Sequence, residues 1–221
     1  MDTTVAKGMS VLELLARSGG PVRLSTIAEQ LDLQKSNVHR LLATLAELGY
    51  VLQEPETGRY ALTLRIWEMG AAVIAQHPAK RGAAPYMQEL HKATSETVSL
   101  TVLDGDDVLY LDKILAPRPL RFTTQPGSRA PAPLTASGKA LLAHEPNARA
   151  VVERAARQPA NGEPLDVEAL MAELESIRRN GYATSESSWT AGVVSVAAPI
   201  MGRDGRAAAA LSVSGPAERL G

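Results

Sequence analysis

Between Leu24 and Leu62 the spacing of apolar residues changes period, and that change restricts the fold of the chain more than any other feature. Ile27, Ala28 and Leu31 lie on one face of a short helix that Ser25 can cap, and Asp32-Leu33-Gln34 then turns the chain. Val38, Leu41, Leu42, Leu45 and Leu48 recur at intervals of three and four, so a second helix follows and ends at Gly49, a natural C-terminal cap. From Tyr50 the period becomes that of strands: Tyr50-Val51-Leu52-Gln53 and Arg59-Tyr60-Ala61-Leu62 flank the turn-rich tip Glu54-Pro55-Glu56-Thr57-Gly58. Two helices joined by so tight a turn, with a hairpin directly after them, form a winged helix-turn-helix. A core helix of about Val5 to Arg17 precedes them, with Val5, Met9, Leu12 and Ala16 at helical spacing and Gly19-Gly20-Pro21 as its stop.

A helix of roughly Thr63 to Gln76, carrying Leu64, Ile66, Trp67 and Met69, is interrupted by His77-Pro78 and reads as a linker. Beyond it the pattern predicts a helix over about Ala79 to Ser95. Strict polar-apolar alternation over 97–102 is then answered, across Asp104-Gly105-Asp106-Asp107, by Val108-Leu109-Tyr110-Leu111. A short strand near Leu120-Arg121-Phe122, helices near 137–143, 147–157 and 166–180, and a hairpin from Val193 to Met201 and Ala207 to Ser214 complete the chain. The organisation expected is a DNA-binding domain over 1–62, a linker helix over 63–77 and an α+β domain over 78–221.

Composition adds limits. No apolar run approaches the roughly 20 residues needed to cross a bilayer, and the N-terminus lacks the basic-then-apolar layout of a secretory signal. A soluble, cytoplasmic protein without membrane partners is the expectation. The absence of cysteine excludes disulfides, thiolate nucleophiles and thiolate metal sites. His77, His91 and His144 share no metal-ligand spacing, so neither a metal nor a cofactor is expected.

A formal charge of −1 gives nucleic-acid binding no general support, and residues 1–75, with seven bases and eight acids, are close to neutral. Local placement is what counts: from Leu33 to Ala46 there is no acid, while Lys35, His39 and Arg40 all fall there. A helix-turn-helix inserts its second helix into the major groove of double-stranded operator DNA, near that helix's N-terminus. The residues there are Gln34, Lys35, Ser36, Asn37, His39 and Arg40. With Val38, Leu41 and Leu42 turned inward, Asn37 and Arg40 fall opposite the core, suited to adenine and guanine edges, and Lys35 and Ser36 suit phosphates. Arg59 on the wing reaches for the flanking backbone. A lone amphipathic helix with these residues would be read as merely solvated; the motif around it favours DNA.

In the second domain Gly138-Lys139 invites comparison with a phosphate loop. That motif, however, needs Gly at 133 and a hydroxyl at 140, where the chain has Pro133 and Ala140. What remains is a helix start whose N–H groups near Ala136, Ser137 and Gly138 can hold an anion, or which Thr135 or Ser137 simply caps. Ser137, His144 and Asp166 supply the residue types of a hydrolytic triad, but without a G-x-S-x-G elbow, so no catalytic residues are assigned. A DNA binder without a ligand is a further alternative, which leaves the serine-rich strand ends unexplained.

The chain resembles the isocitrate-lyase-regulator (IclR) family of bacterial transcription factors. The segments that carry the resemblance are Ser25-Thr26-Ile27-Ala28, Lys35-Ser36-Asn37-Val38-His39-Arg40-Leu41-Leu42, Leu48-Gly49-Tyr50, Gly127-Ser128-Arg129-Ala130-Pro131, Thr135-Ala136-Ser137-Gly138-Lys139-Ala140 and Leu211-Ser212-Val213-Ser214-Gly215-Pro216. The resemblance implies a GAF-like α+β effector-binding domain, homo-dimers or homo-tetramers, and control of catabolic operons. It also implies an effector pocket at Ala136, Ser137, Ser185, Ser195, Ser212 and Ser214. Ser212 and Ser214, two apart on a strand, face one side. Leu120, Phe122, Leu134 and Trp189 serve as apolar walls or as packing. Many members carry Asp at the position of Ser185, Cys at that of Ser195 and His at that of Pro133. Without that acid the pocket suits an anion, and a small organic acid, aromatic ones included, is the expected effector. The Cys-dependent metal site of some relatives is not implied, and the chain stops at Gly221 where the family usually adds a closing helix.

Overall fold

Each predicted run of helical periodicity forms a helix because one face of it can be covered, and in several places the tertiary contacts choose a different face from the one the spacing suggests. The computed structural model describes residues 3–117, 124–159, 162, 164–186 and 188–220. It divides into two compact units, Met1–Ala75 and Gln76–Gly221.

The first unit contains α1 (Thr3–Arg17), α2 (Leu24–Gln30), α3 (Lys35–Glu47), the hairpin β1 (Val51–Gln53) and β2 (Tyr60–Leu62), and α4 (Leu64–Gln76). Its core is built from Val11, Leu14 and Leu15 of α1, Ile27 and Ala28 of α2, Val38, Leu41, Leu42 and Leu45 of α3, and Val51 and Tyr60 of the hairpin. α1 therefore does not bury Val5, Met9 and Ala16, which are exposed. Leu12, Leu14 and Leu15 allow two overlapping stripes, and packing against α3 and β2 selects the one with Val11. Nor is Ser25 a cap. α2 begins one residue earlier, after Arg23 in an extended conformation and with no side-chain cap, so Ser25 sits within the first turn. Leu48 follows the last turn of α3 and is 52% exposed. Gly49 does end that helix as expected: its φ of 78° lets its N–H reach the Ala46 carbonyl while the Tyr50 N–H reaches that of Leu45. Val22 bridges to Tyr60, adding a third chain segment to the wing.

The second unit runs α5 (Pro78–Thr94), β3 (Thr97–Asp104), β4 (Asp107–Ile114), β5 (Arg129–Pro131), a 3-10 turn (Ala132–Leu134), α6 (Ala136–Leu142), α7 (Ala148–Arg157), α8 (Val167–Asn180), β6 (Ala183–Glu186), β7 (Val193–Met201), β8 (Ala207–Pro216) and α9 (Ala217–Leu220). The six strands form one antiparallel sheet in the order β5-β4-β3-β8-β7-β6. α5 packs against β3, β4 and β8, whereas α6 lies across β3, β6, β7 and β8. Together with α7 and α8, α6 encloses the larger core, to which Val108, Tyr110, Ala197 and Ala210 of the sheet belong. The strands β5 and β6 have no counterpart among the sequence expectations: each is four residues or fewer, too short for polar-apolar alternation to mark it. The strand expected near Leu120-Phe122 lies outside the described residues.

Register decides which side chains share a face. β4 carries a bulge: Leu100 pairs with Asp112 but Thr101 pairs with Tyr110, so Leu111 is the extra residue. Asp112 consequently turns to the α5 side, where Lys80 lies 3.4 Å away, and Lys113 comes to the same side as Tyr110.

α6 begins against backbone. A Cβ on Gly138 would sit 2.1 Å from the Ala132 carbonyl oxygen, so only glycine lets the 3-10 turn lie this close. Gly138→Ala is expected to lose about 3 kcal/mol, the upper part of the range for overpacking, because the opposing atoms are main chain. Urea unfolding of the variant beside the parent measures the loss.

Candidate functional site

On the first unit, α3 offers its N-terminal turn to solvent. Gln34, Lys35, Ser36, His39 and Arg40 are exposed, and Arg59 is exposed beside the hairpin tip. Asn37, expected opposite the core, is half-buried beside Val38. Among the described residues, Lys35, Arg40 and Arg59 take part in no ion pair, so these cations remain available to an anionic partner, with the exposed His39 imidazole beside them. Arg65 is differently used, its guanidinium lying 4.9 Å from the centre of the Tyr50 ring.

On the second unit, the sheet face under α6 is lined with hydroxyls because β3 puts Thr97, Ser99 and Thr101, and β8 puts Ser212 and Ser214, at alternate positions, and β7 adds Ser195 beside them. Across the strands, Thr97, Ser214, Ser195 and Ser185 make one row. Lys113, Ser99, Ser212 and Ala197 make the next. Between this face and the start of α6 lies a cavity of about 460 Å³. All six residues expected to hold an effector line it: Ala136, Ser137, Ser185, Ser195, Ser212 and Ser214. So do Leu134 and Trp189; Leu120 and Phe122 lie outside the described residues.

Some of these hydroxyls are already engaged. Ser195 donates to the Ser214 oxygen at 2.8 Å, and Ser185 donates to the Leu134 carbonyl at 3.2 Å, tying β6 to the turn before α6. The choice of cap on α6 falls to Thr135, whose hydroxyl accepts the Gly138 N–H at 3.0 Å. Lys139 points away from any phosphate-loop role: its ammonium meets Glu173 of α8 at 2.8 Å and the Thr184 carbonyl at 3.3 Å. Asp166 is occupied as the cap of α8, accepting from the Ala169 N–H at 3.0 Å. Among the described residues no cluster of three or more His, Asp or Glu converges as a metal site would require.

Reasoning from sequence missed the cavity's cation. Lys113 lines it, donating to the Thr124 carbonyl at 2.6 Å and the Thr124 hydroxyl at 2.8 Å. Among the described residues no carboxylate pairs with it, and burial pushes its ammonium below the ordinary lysine value. Burial likewise raises the Tyr110 phenol, against the lowering effect of its Thr124 contact, which keeps the phenol neutral. Arg129, the other lining cation, is spent on Asp104 and Asp107. Alternation counted from Tyr110 puts Lys113 on the opposite face; the only signal for it was the bulge, which pairing alone reveals.

A winged helix-turn-helix with free basic side chains on its second helix, followed by an α+β domain around a polar cavity, defines a transcriptional regulator with separate DNA-binding and effector domains. The model of the IclR helix-turn-helix domain matches residues 4–55 and that of the C-terminal domain of bacterial transcriptional regulator IclR matches 71–221. The chain belongs to the IclR family of bacterial transcriptional regulators. It is 32% identical to the transcriptional regulator KdgR of Escherichia coli over 221 residues, 99% of this chain and 84% of that protein. Among solved structures, the IclR of Thermotoga maritima superposes with a TM-score of 0.76 at 28% identity, covering 99% of this chain and 89% of that one. An IclR homologue from Microbacterium hydrocarbonoxydans in complex with 4-hydroxybenzoate superposes with a TM-score of 0.83 at 26% identity, over 96% and 89% of the two chains. No helix among the described residues is long and apolar enough to cross a membrane.

Capping by Thr135 has a direct test. Thr135→Ala is expected to lower stability by about 1 kcal/mol, while Ser137→Ala, which removes a hydroxyl with no partner among the described residues, leaves it unchanged. Urea midpoints of the two variants distinguish the residues.

Proposed function

We propose that this regulator binds operator DNA through Gln34, Lys35, Ser36, Asn37, His39, Arg40 and Arg59, and that a small organic acid in the cavity of the second domain controls that binding. The single observation that carries the reading is the convergence of Ala136, Ser137, Ser185, Ser195, Ser212 and Ser214 on one cavity that also contains a lysine with no carboxylate partner among the described residues. In this reading Arg40 reads a guanine edge, Lys35 and Ser36 hold phosphates, and Arg59 steadies the wing on the flanking backbone. Asn37, half-buried, contributes with less reach than its neighbours. The solved relative with 4-hydroxybenzoate bound supports an organic acid as the class of effector.

The chain works as a dimer or tetramer, since two half-sites require two recognition helices. α4 supports this. None of its residues is buried, and it exposes Leu64 at 77%, Trp67 at 69% and Val73 at 68%, a display of apolar surface that a second copy would cover. Effector binding biases two arrangements of the second domains, and α4 passes the bias on as altered spacing of the recognition helices. A regulator that acts on the bacterial chromosome acts in the cytoplasm. It does so without catalysis: of the residue types that could suggest a hydrolytic triad, Asp166 serves as a helix cap.

Gel-shift titration on operator DNA tests the interface. Arg40→Ala is expected to weaken binding by roughly 1–3 kcal/mol and to relax the preference at one base pair; unchanged affinity and preference would overturn its role. Trp67→Glu is expected to shift the protein toward monomer in light scattering, and an unchanged mass would remove α4 from the dimer contact.

A further inference from the structure

The cavity's polar groups are arranged in an order that specifies more than the presence of an acid. Lys113 of β4, Ser99 of β3 and Ser212 of β8 stand directly opposite one another across three adjacent strands. Neighbouring strands are about 4.8 Å apart, so the row extends roughly 10 Å. Ser99 is 3% exposed and Ser212 is 5% exposed, and neither hydroxyl has a hydrogen-bond partner among the described residues. The Ser137 hydroxyl, 3% exposed on the helix above, is in the same condition. All three serines line the cavity, so these hydroxyls open onto it and stay solvated until a ligand that can bond to them takes the place of water. An aromatic ring laid over this row would bury the hydroxyls without bonding to them. A chain that carries oxygen atoms along its length would engage them.

We propose that Lys113 is the counter-charge for the effector's carboxylate, and that the effector is an aliphatic hydroxy- or oxo-carboxylate of about four to six carbons whose oxygens lie along Ser99, Ser212 and Ser137. This rests on the reading of the cavity as the effector pocket and narrows it, setting aside the aromatic acids. The ammonium already holds two acceptors on Thr124 and retains a third N–H for the ligand. Lys113 is also the cation that Arg129 cannot replace, because Asp104 and Asp107 occupy the guanidinium. Neutrality of the site when the ligand is bound comes from one lysine and one carboxylate, so monoacids are preferred over diacids.

Thermal-shift and calorimetric titration of the full chain decide the matter, with D-gluconate, D-glycerate and 2-oxobutyrate set against D-glucitol, hexanoate, benzoate and 4-hydroxybenzoate. At least one of the three oxygenated acids is expected to bind more tightly than every other probe. Lys113→Gln is expected to weaken that acid roughly 10- to 100-fold, the range for a hydrogen bond to a charged group, and Lys113→Arg to restore part of the loss. Glucitol, uncharged, should respond to neither change. Ser99→Ala with Ser212→Ala should weaken the oxygenated acid and leave hexanoate untouched. Tighter binding of benzoate or 4-hydroxybenzoate than of any oxygenated acid, or indifference to Lys113→Gln, would overturn the proposal. In that event Ser137→Phe, which fills the cavity, separates the two readings: if it abolishes binding of the aromatic acid, the pocket stands and only the lysine assignment falls. If no acid binds the parent protein at millimolar concentration, both fall.

Discussion

Where the Ala132 backbone meets Gly138, the second domain has no room for a Cβ, and much of its functional architecture hangs on that contact. Because Gly138 lets the 3-10 turn press against α6, Thr135 falls at the helix start and its hydroxyl closes the first turn on the Gly138 N–H. The turn's last carbonyl, at Leu134, then lies within reach of Ser185 on the edge strand β6. The start of α6, the turn and the far edge of the sheet are thereby held together, and the cavity is the space left beneath them. The Gly-Lys pair that looks like part of a nucleotide motif is thus structural on both counts: the glycine permits a close approach and the lysine ties α6 to α8 through Glu173.

The sheet supplies the chemistry. In an antiparallel sheet, residues directly opposite one another share a face, so the alternate polar residues of β3 and β8 and the single Ser195 of β7 assemble into rows that none of the strands contains alone. A floor of hydroxyls and one ammonium offers hydrogen bonds with direction, and such a floor disfavours any occupant that leaves those groups unpaired. The opposite face obeys the ordinary logic of burial, with Val98 and Leu100 of β3 buried on the side where α5 packs. The same strand β3 therefore presents a polar cavity-lining surface and a core surface, separated by nothing more than the pleat.

The DNA-binding domain works with different means. Its three helices and hairpin enclose one small core, and the charge that matters is set by position rather than by total. A near-neutral domain can bind a polyanion when its few cations stand on one helix turn without acids among them. The Schellman-type end at Gly49 and the bridge between Val22 and Tyr60 determine where the wing leaves that helix, and hence where Arg59 stands.

The amino-acid sequence by itself determined the elements made by short-range physics. The change of period at Gly49, the helix-turn-helix, the alternation over 97–102 with the answering strand 108–111 and the terminal hairpin all follow from which residues lie three, four or two apart. It also determined that Ser137, Ser185, Ser195, Ser212 and Ser214 are of one chemical kind, although their convergence, with Ala136, was legible only through resemblance to a family. Tertiary structure alone decided the rest. The buried stripe of α1, the start of α2 before Ser25 and the exposure of Leu48 depend on which neighbour covers each face. Lys113 depends on a bulge: one extra residue in β4 reverses the alternation that a reader of the sequence must assume. A strand's period is local, but its register belongs to the pair of strands. The ammonium that completes the cavity enters it for that reason, and could be found only once β4 was seen lying against β3.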